Sequence, residues 1–342
     1  MPAIRELIDG DRISAAVSYL LPSYAEVNYQ AGDAWWVHVG AASFTARWSR
    51  SGWAPQVRDA LGRTPHADVL IANRLSPGAR ELLGEAGVGW IEADTGAARL
   101  NFDGLVVHTD GFPAPPRPAA SAWTPAALSI AEAILTGTPA TVQAVHEETG
   151  ASVGTASRVL NIWASRGLLA AKAARGRNSG RKLTNRREFL EEYTQAAAAQ
   201  PSSRTRLTVG VLWRDPVTEL RHLAPRLDEA GIGWAATGAL ASAVMAPFLT
   251  TVAPLRVFVD AGSVAELAVA ARVIGAEPVS GGRLSLEAFP APLTANLVER
   301  IDGVRCAPWP RVFVDLRAAG VRGEDAAEHL LQVCDRRDRK HA

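Results

Sequence analysis

Between Arg158 and Arg187 the chain carries nine basic residues and no acidic one: Arg158, Arg166, Lys172, Arg175, Arg177, Arg181, Lys182, Arg186 and Arg187. Grouped cations of this kind can neutralise a phosphodiester backbone and release its counterions. The run begins inside SVGTASRVLNIWASRG (Ser152–Gly167), whose spacing predicts a helix. On that helix Val153, Ala156, Leu160 and Trp163 form one apolar stripe. Gly154, Thr155, Arg158, Asn161 and Ser165 then face away from it. Arg158 can reach guanine O6 and N7, and Asn161 can pair with adenine. Ser152 and Thr155, at the helix start, suit phosphate or base edges. Downstream, AAKAARGRNSGRK reads as the tip of a β-hairpin. It supplies Arg175, Arg177, Arg181 and Lys182, and Asn178, Ser179 and Gly180 let its backbone approach a phosphate or a minor groove.

The elements that must hold these side chains are legible in the surrounding residues. Thr124-Pro125 is an N-cap followed by Pro at the first helical position, and predicts a helix through Leu135. Thr141–Thr149 is a second, short helix closed by Gly150. Ser152 caps the third, which Gly167 stops. Leu168-Leu169 and Leu183 bracket the hairpin, and Asn185–Ala197 is one more helix. Two short helices joined at a glycine, then a basic hairpin, form the pattern of a winged helix-turn-helix. The partner this chemistry calls for is double-stranded DNA, bound at an operator.

On either side the pattern changes to α/β. Trp35–Val39, Ser43–Trp48, Ala67–Ala72, Val88–Glu92 and Leu105–His108 read as strands, with helices at Ala54–Leu61 and Ser76–Ala86. Beyond the basic segment come strands at Leu207–Trp213, Gly233–Ala235, Leu255–Asp260, Arg283–Leu286 and Val312–Asp315. Helices are expected between them at Pro216–Ala230, Gly238–Pro247 and Ser263–Ile274, with a closing helix at Gly323–Asp335. A proline-rich linker follows Asp110, and AAAAQPSSRT marks a second boundary. The expected organisation is an α/β multidomain chain: an α/β domain over 1–112, the linker over 113–123, a winged helix-turn-helix domain over 124–200 and a C-terminal α/β domain over 206–342.

The net charge of +1 conceals a division. Residues 1–110 hold 9 Lys/Arg against 13 Asp/Glu, residues 111–205 hold 11 against 6, and residues 206–342 hold 16 against 16. No apolar run approaches the roughly eighteen residues that read as a membrane span, and the first residues lack the apolar core of a secretion signal. A cytoplasmic location is expected, with no membrane partner. Cys306 and Cys334 have no metal-ligand spacing, and the histidines show neither HxH nor HExxH. No GxSxG and no GxxxxGK[ST] occurs. The expectation is therefore a protein that is not an enzyme, with no catalytic residue, no metal and no cofactor. Its ten tryptophans read as core anchors.

The chain resembles the AbiEi family antitoxins of type IV toxin–antitoxin systems. The stretches that carry the resemblance are Ala67–Gly84 with Val88–Gly96, Ser152–Gly167, LTNRREFLEEY (Leu183–Tyr193) and Thr237–Asp260, in the family's order. It implies a PD-(D/E)xK nuclease-like N-terminal domain, the central winged helix and a nucleotidyltransferase-like C-terminal α/β domain. It also implies an autoregulatory repressor and, as a further partner, a cognate nucleotidyltransferase-like toxin or other protein. Two departures make both outer domains degenerate. Where a nuclease strand needs an acid followed two residues later by Lys, this chain reads Ala46-Arg47-Trp48. Where a nucleotidyltransferase needs paired carboxylates, Asp260 is followed by Ala261-Gly262. Asp33 and Glu92 then read as surface acids, Asp260 as a cap for the Ser263 helix and Asp315 as a strand-end acid. The function expected is a sequence-specific transcriptional regulator, an antitoxin-type repressor. The alternatives are a protein-binding adaptor working through its outer domains and a DNA nuclease.

Overall fold

The computed structural model describes residues 4–21, 25–29, 33–49, 51–102, 104–111, 123–171, 180–200 and 205–341. It is mixed α/β, and the described residues fall into two units. One comprises Met1–Arg117 with Gly320–Asp325, the other Pro118–Ala319 with Ala326–Ala342. The basic segment and the C-terminal α/β segment thus share one compact unit.

The first unit contains α1 (Ile4–Leu20), β1 (Glu26–Tyr29), β2 (Ala34–Val39), β3 (Ala42–Ser49) and α2 (Ala54–Leu61). β4 (Val69–Ala72), α3 (Pro77–Glu85), β5 (Gly89–Glu92), β6 (Ala98–Phe102) and β7 (Leu105–Thr109) follow. The seven strands lie in sequence order, parallel at β3–β4 and β4–β5 and antiparallel elsewhere. The two parallel steps are the ones crossed by α2 and α3, as parallel neighbours require. Strand alternation sends Val69 and Ile71 toward Ile13 and Val17 of α1, and Leu70 and Ala72 toward Val57 of α2 and Leu83 of α3. The neighbours Trp35 and Trp36 part in the same way. Trp35 packs so close to Gly10 of α1 that a Cβ there would lie 2.2 Å from the indole, while Trp36 stacks on His38.

Acidic side chains hold this unit together from inside. Glu92, expected at the surface, is 2% exposed. It accepts from Leu75 N, Thr95 Oγ1 and the Arg80 guanidinium, so burial is offset by hydrogen bonds that use both of its oxygens. Glu324, contributed by the 320–325 segment, accepts from Ala54 N at 2.6 Å and Gly78 N at 3.2 Å. One buried carboxylate thereby caps the positive ends of α2 and α3 together. Gly78 is required at that approach, because a Cβ would lie 2.7 Å from Glu324 Oε1.

The second unit begins with α4 (Pro125–Leu135), α5 (Val142–Thr149) and α6 (Val153–Ser165), followed by β8 (Leu169–Ala171), β9 (Arg181–Leu183) and α7 (Arg186–Ala199). It continues through β10 (Arg206–Gly210), α8 (Pro216–Glu229), β11 (Trp234–Thr237), α9 (Gly238–Met245), β12 (Leu255–Val259) and α10 (Val264–Val273). β13 (Glu277–Pro278), β14 (Leu284–Ala288), a 3-10 turn at Pro292–Leu297, β15 (Glu299–Ile301), β16 (Val304–Cys306), α11 (Trp309–Arg317) and α12 (Gly320–His341) complete the chain. The second sheet runs β13-β10-β14-β12-β11-β16-β15, parallel only at β12–β14 and β11–β16. One continuous core joins α4–α7 to this sheet.

A buried polar network crosses that junction. Glu132 of α4 is fully buried and accepts from Tyr193 Oη of α7 at 2.6 Å, Arg311 Nε of α11 at 3.0 Å and Thr294 Oγ1. Arg311 Nη2 adds an ion-pair contact of 2.9 Å. Desolvation pushes the Tyr193 hydroxyl well above its usual range, so it stays a neutral donor.

Three expectations need correction. Val312–Asp315 is not a strand but the centre of α11, buried on nearly every side. A short continuous apolar run fits a buried helix as well as a buried strand, and Pro310 in the first turn favours the helix. Asp315 is therefore not a strand-end acid: it pairs with Arg256 at 3.2 Å and accepts from Thr237 Oγ1. Asp260 does not cap α10, because Ser263 Oγ accepts from Glu266 N instead. The strand expected to reach Trp213 ends at Gly210, and Leu212 beyond it stands 95% exposed.

Candidate nucleic-acid interface

The site is built on α6. Ser152 sits in extended geometry before it, and its hydroxyl accepts from Thr155 N at 3.2 Å. The same hydroxyl donates to Thr155 Oγ1 at 2.9 Å. Ser152 and Thr155 are thus committed to each other as the helix cap. The two residues shape the helix start, and the N–H groups of Val153 and Gly154 in the first turn are left to face outward. The sharp entry comes from Gly150 in the left-handed region at φ 73°, which ends α5. Asn296 Nδ2 donates to Thr149 O at that same corner, holding the α5–α6 angle.

The buried face of α6 is Ala156, Val159, Leu160 and Trp163. Trp163 packs 5.0 Å from Trp123 and meets Phe189 of α7 edge-on, also at 5.0 Å. Val153, expected on this stripe, is instead 53% exposed, and Val159 takes its place. Periodicity alone thus misassigned the valine beside Gly154 at the head of the helix. Apolar contact with a thymine methyl is the chemistry open to it.

Arg158 and Asn161 face outward as expected, one turn apart, and Arg158 has no partner among the described residues. Asn161 Oδ1 accepts from Arg181 Nη2 of β9 at 2.5 Å. Pairing with adenine needs that oxygen as well as the amide nitrogen, and Arg181 already occupies one of the two lone pairs of Oδ1. The same bond brings two of the expected residues together and lays the hairpin alongside α6. A second tie holds it there: Arg181 N donates to Ala140 O in an isolated antiparallel bridge. Lys182, on the opposite side of β9, is exposed and unpaired among the described residues. Arg175, Arg177 and Asn178 lie outside the described residues, as does Lys172.

The basic run is less uniform in space than in sequence. Arg166 pairs with Glu192 at 2.7 Å, Arg186 with Asp335 at 2.9 Å and Arg187 with Glu328 at 3.2 Å. Those acids come from α7 and α12, beyond the reach of a count along the run. Arg186 also donates to Leu135 O and lies over the Trp309 ring. Three of the nine cations are therefore structural, and the described cations left for a ligand are Arg158, Arg181 and Lys182. Among the described residues no group of His, Cys, Asp or Glu is arranged to hold a metal ion. No helix among them is long and apolar enough to cross a membrane. Comparison of the chain with protein-family models, with curated proteins and with solved structures finds no match.

Proposed function

We propose that this chain is a sequence-specific DNA-binding transcriptional regulator, an antitoxin-type repressor that reads its operator with a winged helix-turn-helix formed by α4–α6 and the β8–β9 hairpin. The observation that carries the reading is the Arg181–Asn161 bond. It sets the hairpin against the exposed face of α6, where Arg158 stands unpaired, with Lys182 unpaired on the other side of β9. In this reading α6 enters the major groove, Arg158 reads guanine, and Val153 packs on a thymine methyl. Arg181 and Lys182, with the basic residues in the sequence between β8 and β9, hold the phosphates.

The N-terminal unit acts as a binding or scaffolding module. The Arg47 guanidinium, where a nuclease strand would present its chemistry, is spent on Asp33, Ala60 O and Pro65 O. The antitoxin setting and the toxin partner rest on the family resemblance.

The test is titration of the purified protein with the DNA upstream of its own gene and with a scrambled duplex of equal length, across a salt series. Preference for the upstream fragment by about a thousandfold or more supports a specific regulator. Equal, steeply salt-dependent binding to both duplexes overturns the specificity and leaves a basic hairpin. No binding to either overturns DNA recognition altogether, in favour of an adaptor for another protein.

A further inference from the structure

The 3-10 turn Pro292–Leu297, between β14 and β15, belongs to the C-terminal α/β segment yet is tied to the helices that lead into α6. Thr294 is fully buried, donates to the Glu132 carboxylate of α4 and lies 3.1 Å from Ser129 Oγ of the same helix. Leu297 is buried as well. The turn is thereby fixed on α4. Asn296, two residues after Thr294, is exposed and donates from Nδ2 to Thr149 O at 2.8 Å.

Thr149 ends α5, so its carbonyl is one of those a helix leaves without an intrahelical partner. Other ties at this corner come from α5 itself. Thr149 Oγ1 accepts from Ala151 N at 3.1 Å, and His146 Nδ1 donates to Ala151 O at 2.7 Å. They set the local shape of the bend. Asn296 reaches the same bend from outside, across 147 residues of sequence. Gly150 makes room for it, since a Cβ there would lie 3.0 Å from Asn296 Nδ2.

Ser152 begins α6 two residues beyond Gly150, so a change of angle at the bend is carried along the whole helix. Arg158 lies about 9 Å along α6 from Ser152, and a tilt of about 10° there moves it by about 1.5 Å. A bidentate contact to a guanine edge, with both bonds near about 2.9 Å, does not survive that shift. Long basic side chains on phosphates follow it.

We infer that Asn296 is a positioning residue for base reading: from the C-terminal α/β segment it fixes the angle at which α6 is presented, and so sets preference for the operator over other DNA. The inference rests on the DNA-binding role proposed for α6.

Asn296→Leu keeps the shape of the side chain and removes the donor. The residue is exposed, so the variant folds like the parent, and circular dichroism checks it. Two readouts compare the full-length proteins. Amide hydrogen exchange of the 149–155 peptide, measured without DNA, reports the corner. Titration with the upstream and scrambled duplexes reports the reading. The expected result is faster exchange confined to that peptide, with scrambled-duplex affinity unchanged. Preference for the upstream duplex falls about three- to tenfold, the net worth of one hydrogen bond expressed as a smaller binding-competent fraction. Unchanged exchange over 149–155 overturns the brace, whatever happens on DNA. Faster exchange with an unchanged ratio of the two affinities, equal weakening included, overturns the role in reading. A parent that shows no preference between the duplexes overturns the DNA-binding proposal instead, and the exchange comparison still decides whether Asn296 holds the corner.

Discussion

Replacing Glu132 with Ala removes the acceptor on which three buried donors converge. Arg311, which is 3% exposed, is then left charged without its carboxylate, and the Tyr193 and Thr294 hydroxyls lose their common partner. Each hydrogen bond to a charged group is worth about 1.5–3 kcal/mol, but the three share one ion. The appropriate magnitude is that of breaking a buried ion pair, about 3–5 kcal/mol. A unit of this size loses about 2–4 °C per kcal/mol, so the melting midpoint falls by about 10 °C. Urea unfolding followed by tryptophan fluorescence measures the change directly. Arg311→Met alone costs a similar amount, because it buries Glu132 unpaired. Glu132→Met/Arg311→Met costs less than the sum, since no charge is stranded in the double variant. The reasoning is refuted if Glu132→Ala costs under about 1 kcal/mol, or if the two single costs add within about 0.5 kcal/mol.

Further outcomes follow from other contacts. Arg158→Ala relaxes preference at one base pair of the operator by about 1–3 kcal/mol, read by competition with single-base variants of the site. Lys182→Ala weakens all duplexes alike and flattens the salt slope by about one unit in a salt titration. Burial pushes the Cys306 thiol up to about 12, so a thiol-reactive dye labels it at neutral pH only at the rate of unfolding, as mass spectrometry of the labelled peptide shows. Burial alone would raise the Glu287 carboxyl, yet the Arg256 guanidinium, hydrogen-bonded to it at 2.8 Å, holds it below its usual range. Its stabilisation is present above the unfolded value of about 4.3 and is lost as pH falls through the lower folded value. Urea midpoints measured between about pH 5 and pH 3 therefore decline, and they decline less in Glu287→Gln.

How much of this was legible depended on the range of the interaction. Thr124, Ser152 and Asn185 each accept from the backbone two or three residues ahead, and the helices they begin were readable from those few residues. Gly150 ends α5 by the same local logic. Periodicity placed Arg158 and Asn161 outward but erred at Val153, because whether a first-turn residue is covered depends on what lies beyond the helix end. The VFV of α11 was ambiguous for want of any polar alternation. Nothing was assigned ahead of Trp35, although α1 covers one face of the first sheet. The partners of Glu132 and Arg187 lie far along the chain, 179 residues away for Arg311 and 141 for Glu328. No local pattern announces such a pair, so the basic run looked freer of acid than it is.

The Glu324 cap gives the N-terminal unit an order of completion that its place in the chain hides. A ribosome adds residues 1–117 first, and the carboxylate that seats on α2 and α3 follows only after the whole of the 118–319 segment. At about 5–20 residues per second, the interval between Arg117 and Asp325 lasts about 10–40 s. Throughout that time every residue of the sheet and of α1–α3 has been added, but the shared anion for the ends of α2 and α3 has not. Only a chain translated through residue 325 can close it, so prematurely terminated products carry an unfinished N-terminal unit even when every residue of its sheet is present.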